Sequence, residues 1–285
     1  MNLFFKKKLL TCFFLFLVST VNAEIISLEL NDGKNIAKAE YVKGNSSSPL
    51  IILIHGFLQT REFSTITRLA ESLVDDEYSV LSPTLSLGIS DRVQSLSCEA
   101  IHVHSIDDEV DEINQWVAWA ESQGYENIIL IGHSAGATAV SKLISKTVSQ
   151  SIQKVVLISL SYYGLGRPVG FETADLANYA KKALEDESQK LHKYALDYCE
   201  VFPTTASNFL SYYNWSADQV INAVSNSPIE TYVILGSSDK RIGSTWVNRN
   251  VNELTNVHLI EGANHFFDKV HEFALLEAVE NFISP

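Results

Sequence analysis

Ile128-Ile129-Leu130-Ile131-Gly132-His133-Ser134-Ala135-Gly136-Ala137-Thr138-Ala139-Val140 changes character at its middle. The first four residues form a continuous apolar run, the pattern of a short strand buried on both faces. Small and apolar residues then continue to Val148 with the composition of a packed helix. Between them stands Gly-His-Ser-Ala-Gly, and residues this small let a strand turn abruptly into a helix. Such a turn lifts Ser134 above the strand ends. A serine hydroxyl is a weak nucleophile by itself and needs a base to take its proton. The five-residue pattern alone is not specific, but here it follows a buried-type strand and opens a helix, as the chemistry requires.

Working outward, strand and helix signals alternate. Glu24 to Leu30 and Asn35 to Val42 read as a hairpin around the turn-forming run Asn31-Asp32-Gly33. Leu50 to Ile54, Ser79 to Leu81, Lys154 to Leu160, Ile229 to Leu235 and Val257 to Ile260 read as further strands, the second stopping before Pro83. Helices are expected over Arg61 to Leu73, from Ser105 to Gly124, and from Phe266 to Phe282. The helix after Ser105 carries Asp107, Asp108 and Glu109 in its first turn, where negative charge suits the dipole. Alternation of this kind implies a mostly parallel central sheet with helices on both faces, an α/β fold.

One stretch breaks the alternation. Roughly 65 residues separate the strand ending near Leu160 from the one beginning near Ile229, far more than a connection needs. Leu176, Tyr179, Ala180, Ala183 and Leu184 fit one amphipathic helix, and Ala217 to Val224 fits another. Aromatic residues run through the stretch, including Tyr163, Phe171, Tyr198, Phe202 and Tyr212. Most are expected to fill the contact between insertion and core; a few would line a pocket. The domain reading is an export signal over 1–23, a core over 24–160 and 228–285, and a helical cap over 161–227.

Partners for Ser134 lie where two other strands end. Asp239 follows the run Tyr232 to Leu235 in Gly236-Ser237-Ser238-Asp239, and His265 follows the next strand in Gly262-Ala263-Asn264-His265. A carboxylate can hold the imidazole in the useful tautomer, and the imidazole can take the serine proton. His271 and Asp268 are the competitors. The first is expected inside the last helix, facing away from the strand ends, and the second sits beyond His265. His55-Gly56-Phe57 comes directly after the strand Leu50 to Ile54. The backbone N–H groups of Phe57 and Ala135 could together hold a tetrahedral oxyanion.

The elbow at Ser134, the His55-Gly56 turn, Asp239 and His265 together resemble the α/β-hydrolase superfamily, across nearly all of the chain from residue 24. The resemblance implies that fold, a serine nucleophile and no cofactor. It leaves the substrate open, because this superfold hosts many chemistries. Leu58-Gln59-Thr60 stand where glycine-rich lipases continue with further glycines. Serine at the nucleophile position argues against dehalogenase or epoxide hydrolase chemistry, which needs a carboxylate there. The expected reaction is cleavage of an acyl bond of a small molecule, an ester first. Thioester, amide or peptide hydrolysis is the alternative, and a non-catalytic binding scaffold is the second.

The first residues read as an address, not as fold. Lys6-Lys7-Lys8, the apolar run Leu9 to Val18 and Val21-Asn22-Ala23 make a cleavable export signal, leaving a chain that starts at Glu24 in the periplasm or outside the cell. The apolar run is too short for a spanning helix, so no stable membrane insertion is expected after cleavage. The 285 residues carry 21 basic and 34 acidic side chains; without the three lysines the balance is 18 to 34. That acidity speaks against nucleic acid and anionic membrane surfaces as partners. Oligomeric state is not readable. Export would permit Cys98 and Cys199 to pair, with two free thiols as the alternative. Cys98, His102, His104, Asp107 and Asp108 use metal-ligand residue types, but the acids have a plainer explanation as helix N-terminal charges and no metal is expected.

Overall fold

A computed structural model describes residues 22–146, 148–164, 173–186 and 189–284. The export signal read over 1–23 therefore lies outside the described residues except for Asn22 and Ala23, and Phe171 lies outside them as well. The chain opens with an antiparallel hairpin, β1 (Ala23–Glu29) and β2 (Ile36–Val42), closed by the Asn31-Asp32-Gly33 turn. It continues with β3 (Leu50–Ile54), α1 (Ser64–Asp75), β4 (Ser79–Thr84), α2 (Ile106–Ser122), β5 (Ile128–His133), α3 (Ala135–Ile144) and β6 (Ile152–Ile158). After an insertion come β9 (Glu230–Gly236), α7 (Gly243–Glu253), β10 (Val257–Ile260) and α8 (His271–Ile283). The eight strands form one sheet in the order β1-β2-β4-β3-β5-β6-β9-β10, parallel from β4 to β10.

The continuous apolar strands are explained by a core on each face of the sheet. Ile51 and Leu53, Ile129 and Ile131, and Val156 and Ile158 point to one side, against Ile66, Leu69 and Leu73 of α1 and Leu275, Val279 and Ile283 of α8. Ile52 and Ile54, Leu130, and Val155 and Leu157 point to the other, against α2 and α3 and the buried aromatics of the insertion. Successive strand residues alternate sides, so a strand covered on both must be apolar throughout. α2 starts where Ser105 caps it: the serine side chain accepts from the Asp108 amide while the Asp108 carboxylate accepts from the Ser105 amide.

Three elements differ from the sequence expectation. β4 runs through Pro83 instead of stopping before it, because its ladder with β3 has already ended at Leu81 and Pro83 needs no donor on that side. α7 has no counterpart in the sequence reading; only Trp246, Val247 and Asn250 are buried along it, too narrow a stripe to announce a helix. The insertion is not wholly helical. It carries α4 (Thr173–Asp186), α5 (Ala206–Tyr213) and α6 (Ala217–Ser225), but also an antiparallel hairpin, β7 (Leu191–Leu196) with β8 (Cys199–Thr205). In α4 the buried side is Ala177, Ala180 and Ala183, while Tyr179 and Leu184 face outward. The small alanines let α4 lie close to its neighbour, and the Tyr179 hydroxyl meets His192 Nδ1 at 2.7 Å. A disulfide joins Cys98 to Cys199 and ties the hairpin to the loop before α2.

Candidate active site

Every candidate catalytic residue follows the carboxyl end of a parallel strand: Phe57 after β3, Ser134 after β5, Asp239 after β9 and His265 after β10. Those ends form one crevice, the usual place for ligands in such sheets. The elbow is built on sterics. Ser134 sits at φ 57°, ψ −120°, a region that side chains rarely occupy. A β-carbon on Gly132 would lie 2.6 Å from the amide of Ala137, and one on Gly136 2.5 Å from the carbonyls of Ile54 and His55. Both positions need glycine because backbone, not a movable side chain, fills the space. The strain at Ser134 is held by its neighbours, including a 2.8 Å bond from its amide to the Ile158 carbonyl.

The three side chains form a continuous relay. Ser134 Oγ lies 2.8 Å from His265 Nε2, and His265 Nδ1 lies 2.7 Å from Asp239 Oδ2. With an ionised Asp239 accepting, Nδ1 carries the proton and Nε2 is free to accept from the serine hydroxyl. Asp239 is buried, and its other oxygen accepts the Arg241 and Ile242 amides at 2.9 and 3.2 Å. The competitors are elsewhere: His271 begins α8, and Asp268 accepts from Asn264 Nδ2 at 2.9 Å.

Further residues hold this relay in place, and sequence reading had passed over them. The His265 carbonyl accepts from His133 Nε2 at 3.0 Å and from Ser159 Oγ at 2.9 Å. His133 is fully buried; desolvation first, and the neighbouring His265 second, push it down to about 3, so it serves as a neutral donor. The signal was present, since His133 is the variable position of the elbow. Its partner lies 132 residues away, and no local pattern reveals that.

A second network fixes the peptide between Gly56 and Phe57. His55 Nδ1 donates to the Gly56 carbonyl at 2.9 Å, and the Gln59 amide donates to the same oxygen. On the far side of the ring, Nε2 accepts from the Leu85 amide at 3.0 Å and from Arg92 Nη2 at 3.2 Å. Burial first, then the Arg92 charge, push His55 down to about 3 and keep it neutral. A carbonyl and the following N–H belong to one rigid plane and point oppositely, so holding Gly56 O also aims Phe57 N–H. Gly56 itself lies against Ser134, 3.4 Å from its β-carbon to an ideal β-carbon on the glycine. Among the described residues, protein groups leave the amides of Phe57 and Ala135 unpaired.

The metal-ligand residue types near α2 do not converge. Cys98 is in the disulfide, and His102 stacks on Phe202 with ring centres 3.9 Å apart. Asp107 pairs with Lys142 and Lys146, and Asp108 closes the cap of α2. His104 and Glu109 both meet the buried Tyr212 hydroxyl. Glu109, read from sequence as a dipole charge, is thus also a buried acceptor beneath the insertion. Among the described residues no group of three histidines, cysteines or carboxylates could hold a metal ion.

Comparison with known proteins places the fold. Over 158 residues the chain is 32% identical to a Mycoplasma pneumoniae protein described as an esterase/lipase, a match covering 54% of this chain and 48% of that one. The chain thus spans about half the length of the curated relative it matches. Est1E from Butyrivibrio proteoclasticus, solved with ferulic acid bound, superposes with a TM-score of 0.65 at 17% identity, covering 90% of this chain and 97% of that one. The hydrolase GrgF from a Penicillium species gives 0.68 at 12% identity, covering 92% and 98%. Likenesses at such identity concern the fold. Residues 51–274 match the model of the alpha/beta hydrolase family, which spans the elbow, both its partners and the insertion, and the chain belongs to that family.

Proposed function

We propose that this chain is an exported serine esterase that cleaves the carboxylic ester of a small molecule through an acyl-enzyme. Ser134 attacks the carbonyl while His265 takes its proton, and the amides of Phe57 and Ala135 hold the oxyanion. His265 then protonates the leaving alcohol. Water, deprotonated in turn by His265, releases the acid and restores the serine. Asp239 keeps the imidazole in the Nδ1–H tautomer and stabilises its charged form. The unbroken relay from Ser134 Oγ to His265 to Asp239 carries this reading, because it supplies nucleophile, base and orienting acid within hydrogen-bond reach. The Mycoplasma relative's description supports an ester over other acyl bonds.

The test uses the purified chain, a fluorophosphonate probe and p-nitrophenyl esters of increasing chain length. Labelling confined to Ser134, abolished in Ser134→Ala together with ester turnover, is the expected result. Labelling without ester turnover would move the assignment to thioesters or amides. Neither labelling nor turnover would favour a binding scaffold. For export, intact mass after expression with the full leader should show a chain beginning at Glu24. An unprocessed chain in the cytoplasm would refute that part.

A further inference from the structure

A cavity of about 220 Å³ opens beside Ser134 and His265, and three charged side chains stand among its walls. Among the described residues Ile242 is its one aliphatic lining residue; the rest are an acid, two cations, two serines, a tyrosine and the His265 imidazole. Asp197 supplies the acid. It sits in the two-residue turn between β7 and β8, closed by the pairing of Leu196 with Cys199. That turn is held from several directions. Cys199 is bonded to Cys98, and the adjacent Tyr198 hydroxyl donates to the Phe57 carbonyl at 3.3 Å. Asp197 adopts φ 51°, a left-handed conformation that aspartate tolerates better than most residues.

The carboxylate has no cation within ion-pair distance among the described residues. Burial pushes it up to about 6, with His265 and Arg241 pulling the other way. Lys240 and Arg241 line the same cavity, likewise without ion-pair partners among the described residues. The Arg241 guanidinium lies 5.2 Å from the Tyr198 ring centre and 4.9 Å from that of Phe266, a stacking that holds its planar fork in place. Ser161 and Tyr198 complete the same walls.

On the esterase reading above, on which this step rests, the cavity takes the leaving group. It is lined by His265, which must hand its proton to the departing alcohol, and not by Phe57 of the candidate oxyanion site. The mixture of charges then narrows the class. A cationic alcohol would face Lys240 and Arg241, an anionic one Asp197, and an alkyl chain would desolvate all three without return. Neutral hydroxyls can donate to Asp197 and accept from the two cations. We propose that this enzyme removes an acyl group from a neutral polyhydroxylated alcohol, a polyol or sugar, and that Asp197 on the insertion hairpin selects for it.

The experiment measures acetate release from glyceryl monoacetate and monoacetylated glucose against butyl acetate, acetylcholine and acetoxyacetate. The expected wild-type kcat/KM for the two hydroxylated acetates exceeds that for butyl acetate about tenfold or more. Asp197→Gly, which suits the left-handed turn, should cut that ratio about tenfold or more, and Asp197→Asn should keep part of it because its amide oxygen still accepts. Wild-type preference for butyl acetate, acetylcholine or acetoxyacetate would overturn the proposal, as would a ratio unchanged in Asp197→Gly whose thermal unfolding shows it folded. Should Asp197→Gly not fold, Asp197→Asn and the wild-type ranking decide. Turnover of p-nitrophenyl acetate, lost in Ser134→Ala, stands apart. If that turnover is missing the esterase reading fails, and if it is present without the polyol preference only the selectivity fails.

Discussion

The bond between Cys98 and Cys199 closes a loop of 101 residues that contains α2, β5, α3, β6 and part of the insertion. A cross-link over that span removes loop-closure entropy from the unfolded chain worth about 4.7 kcal/mol at 25 °C in the chain-entropy model. Contacts other than the bond join the same two segments of the folded state. The His102 amide still donates to the Pro203 carbonyl at 2.8 Å, Thr204 Oγ1 to the His102 carbonyl at 2.7 Å, and the His102 ring still stacks on Phe202. Losing the bond should therefore leave the fold in place while costing roughly 3–5 kcal/mol of stability. Two arms separate cross-link from sulfur packing: the oxidised protein with and without a strong reductant, and the Cys98→Ala, Cys199→Ala double variant. Urea denaturation is the assay, and intact mass establishes the oxidation state. The denaturant slope should also steepen when the bond is absent, because an unlinked chain exposes more surface on unfolding. A loss below about 1 kcal/mol in both arms, with the bond verified beforehand, would refute the entropic argument.

Other outcomes follow from the same contacts. Asp239→Asn should keep the fold but lower kcat by about three to four orders of magnitude, through loss of the Nδ1–H tautomer, as read by single-turnover acylation. His55→Ala deprives the Gly56 carbonyl, the Leu85 amide and Arg92 of a buried partner at once. It should lower kcat about 10- to 100-fold with KM little changed, as expected of a residue that positions the oxyanion peptide; equal losses in kcat and in binding of a ground-state analogue would refute that role. His55 and His133, held neutral down to about 3, take up protons in the unfolded chain from about 6.5 downward. Their contribution is present above 6.5 and is lost as the pH falls toward 3, so the melting temperature should drop through that window. Glu112, pushed up to about 7 chiefly by burial, works the other way and gains stability as pH falls from 7 to 4.5. Glu112→Gln should accordingly steepen the acid loss. Gly136→Ala, whose new carbon would meet two backbone carbonyls at 2.5 Å, should cost about 3 kcal/mol or more in thermal unfolding and lose activity.

How much of this could be read from residues alone depends on what enforces each part. The sheet core is enforced by burial on two faces, and burial leaves an apolar run that any reader can find at Leu50 to Ile54 or Ile128 to Ile131. The elbow is enforced by backbone crowding, which leaves glycines at 132 and 136. Asp239 and His265 follow strands whose order in the chain is already plain. The insertion hairpin is enforced differently. Its strands do not alternate cleanly, Pro203 lies within one of them, and its turn is Asp197-Tyr198, with neither the glycine nor the asparagine that marks a tight hairpin. What holds it is a disulfide, ring stacking on Phe202 and Phe209, and hydroxyl bonds to partners about a hundred residues away or more. Such contacts constrain pairs of positions and leave no mark on either one.

The same difference divides the site by task. The proposed chemistry rests on the sheet, where shape is dictated by backbone and few residue types fit. The cavity charges come from the hairpin turn at Asp197 and from Lys240 and Arg241. The amide of Arg241 anchors Asp239, while its side chain lies between the Tyr198 and Phe266 rings and lines the cavity. A changed side chain at residue 241 should therefore leave the candidate acid Asp239 in place, since the bond to Asp239 uses only the backbone of residue 241. Residue 197 can change among aspartate, asparagine and glycine without disturbing the turn. Substitutions at these two positions should move selectivity far more than the rate of acylation by an activated aryl ester whose leaving group needs little help from His265. A comparison of p-nitrophenyl acetate with glyceryl monoacetate across Arg241→Gln and Asp197→Asn measures that separation. Parallel losses on both esters would show that turn and triad act as one unit.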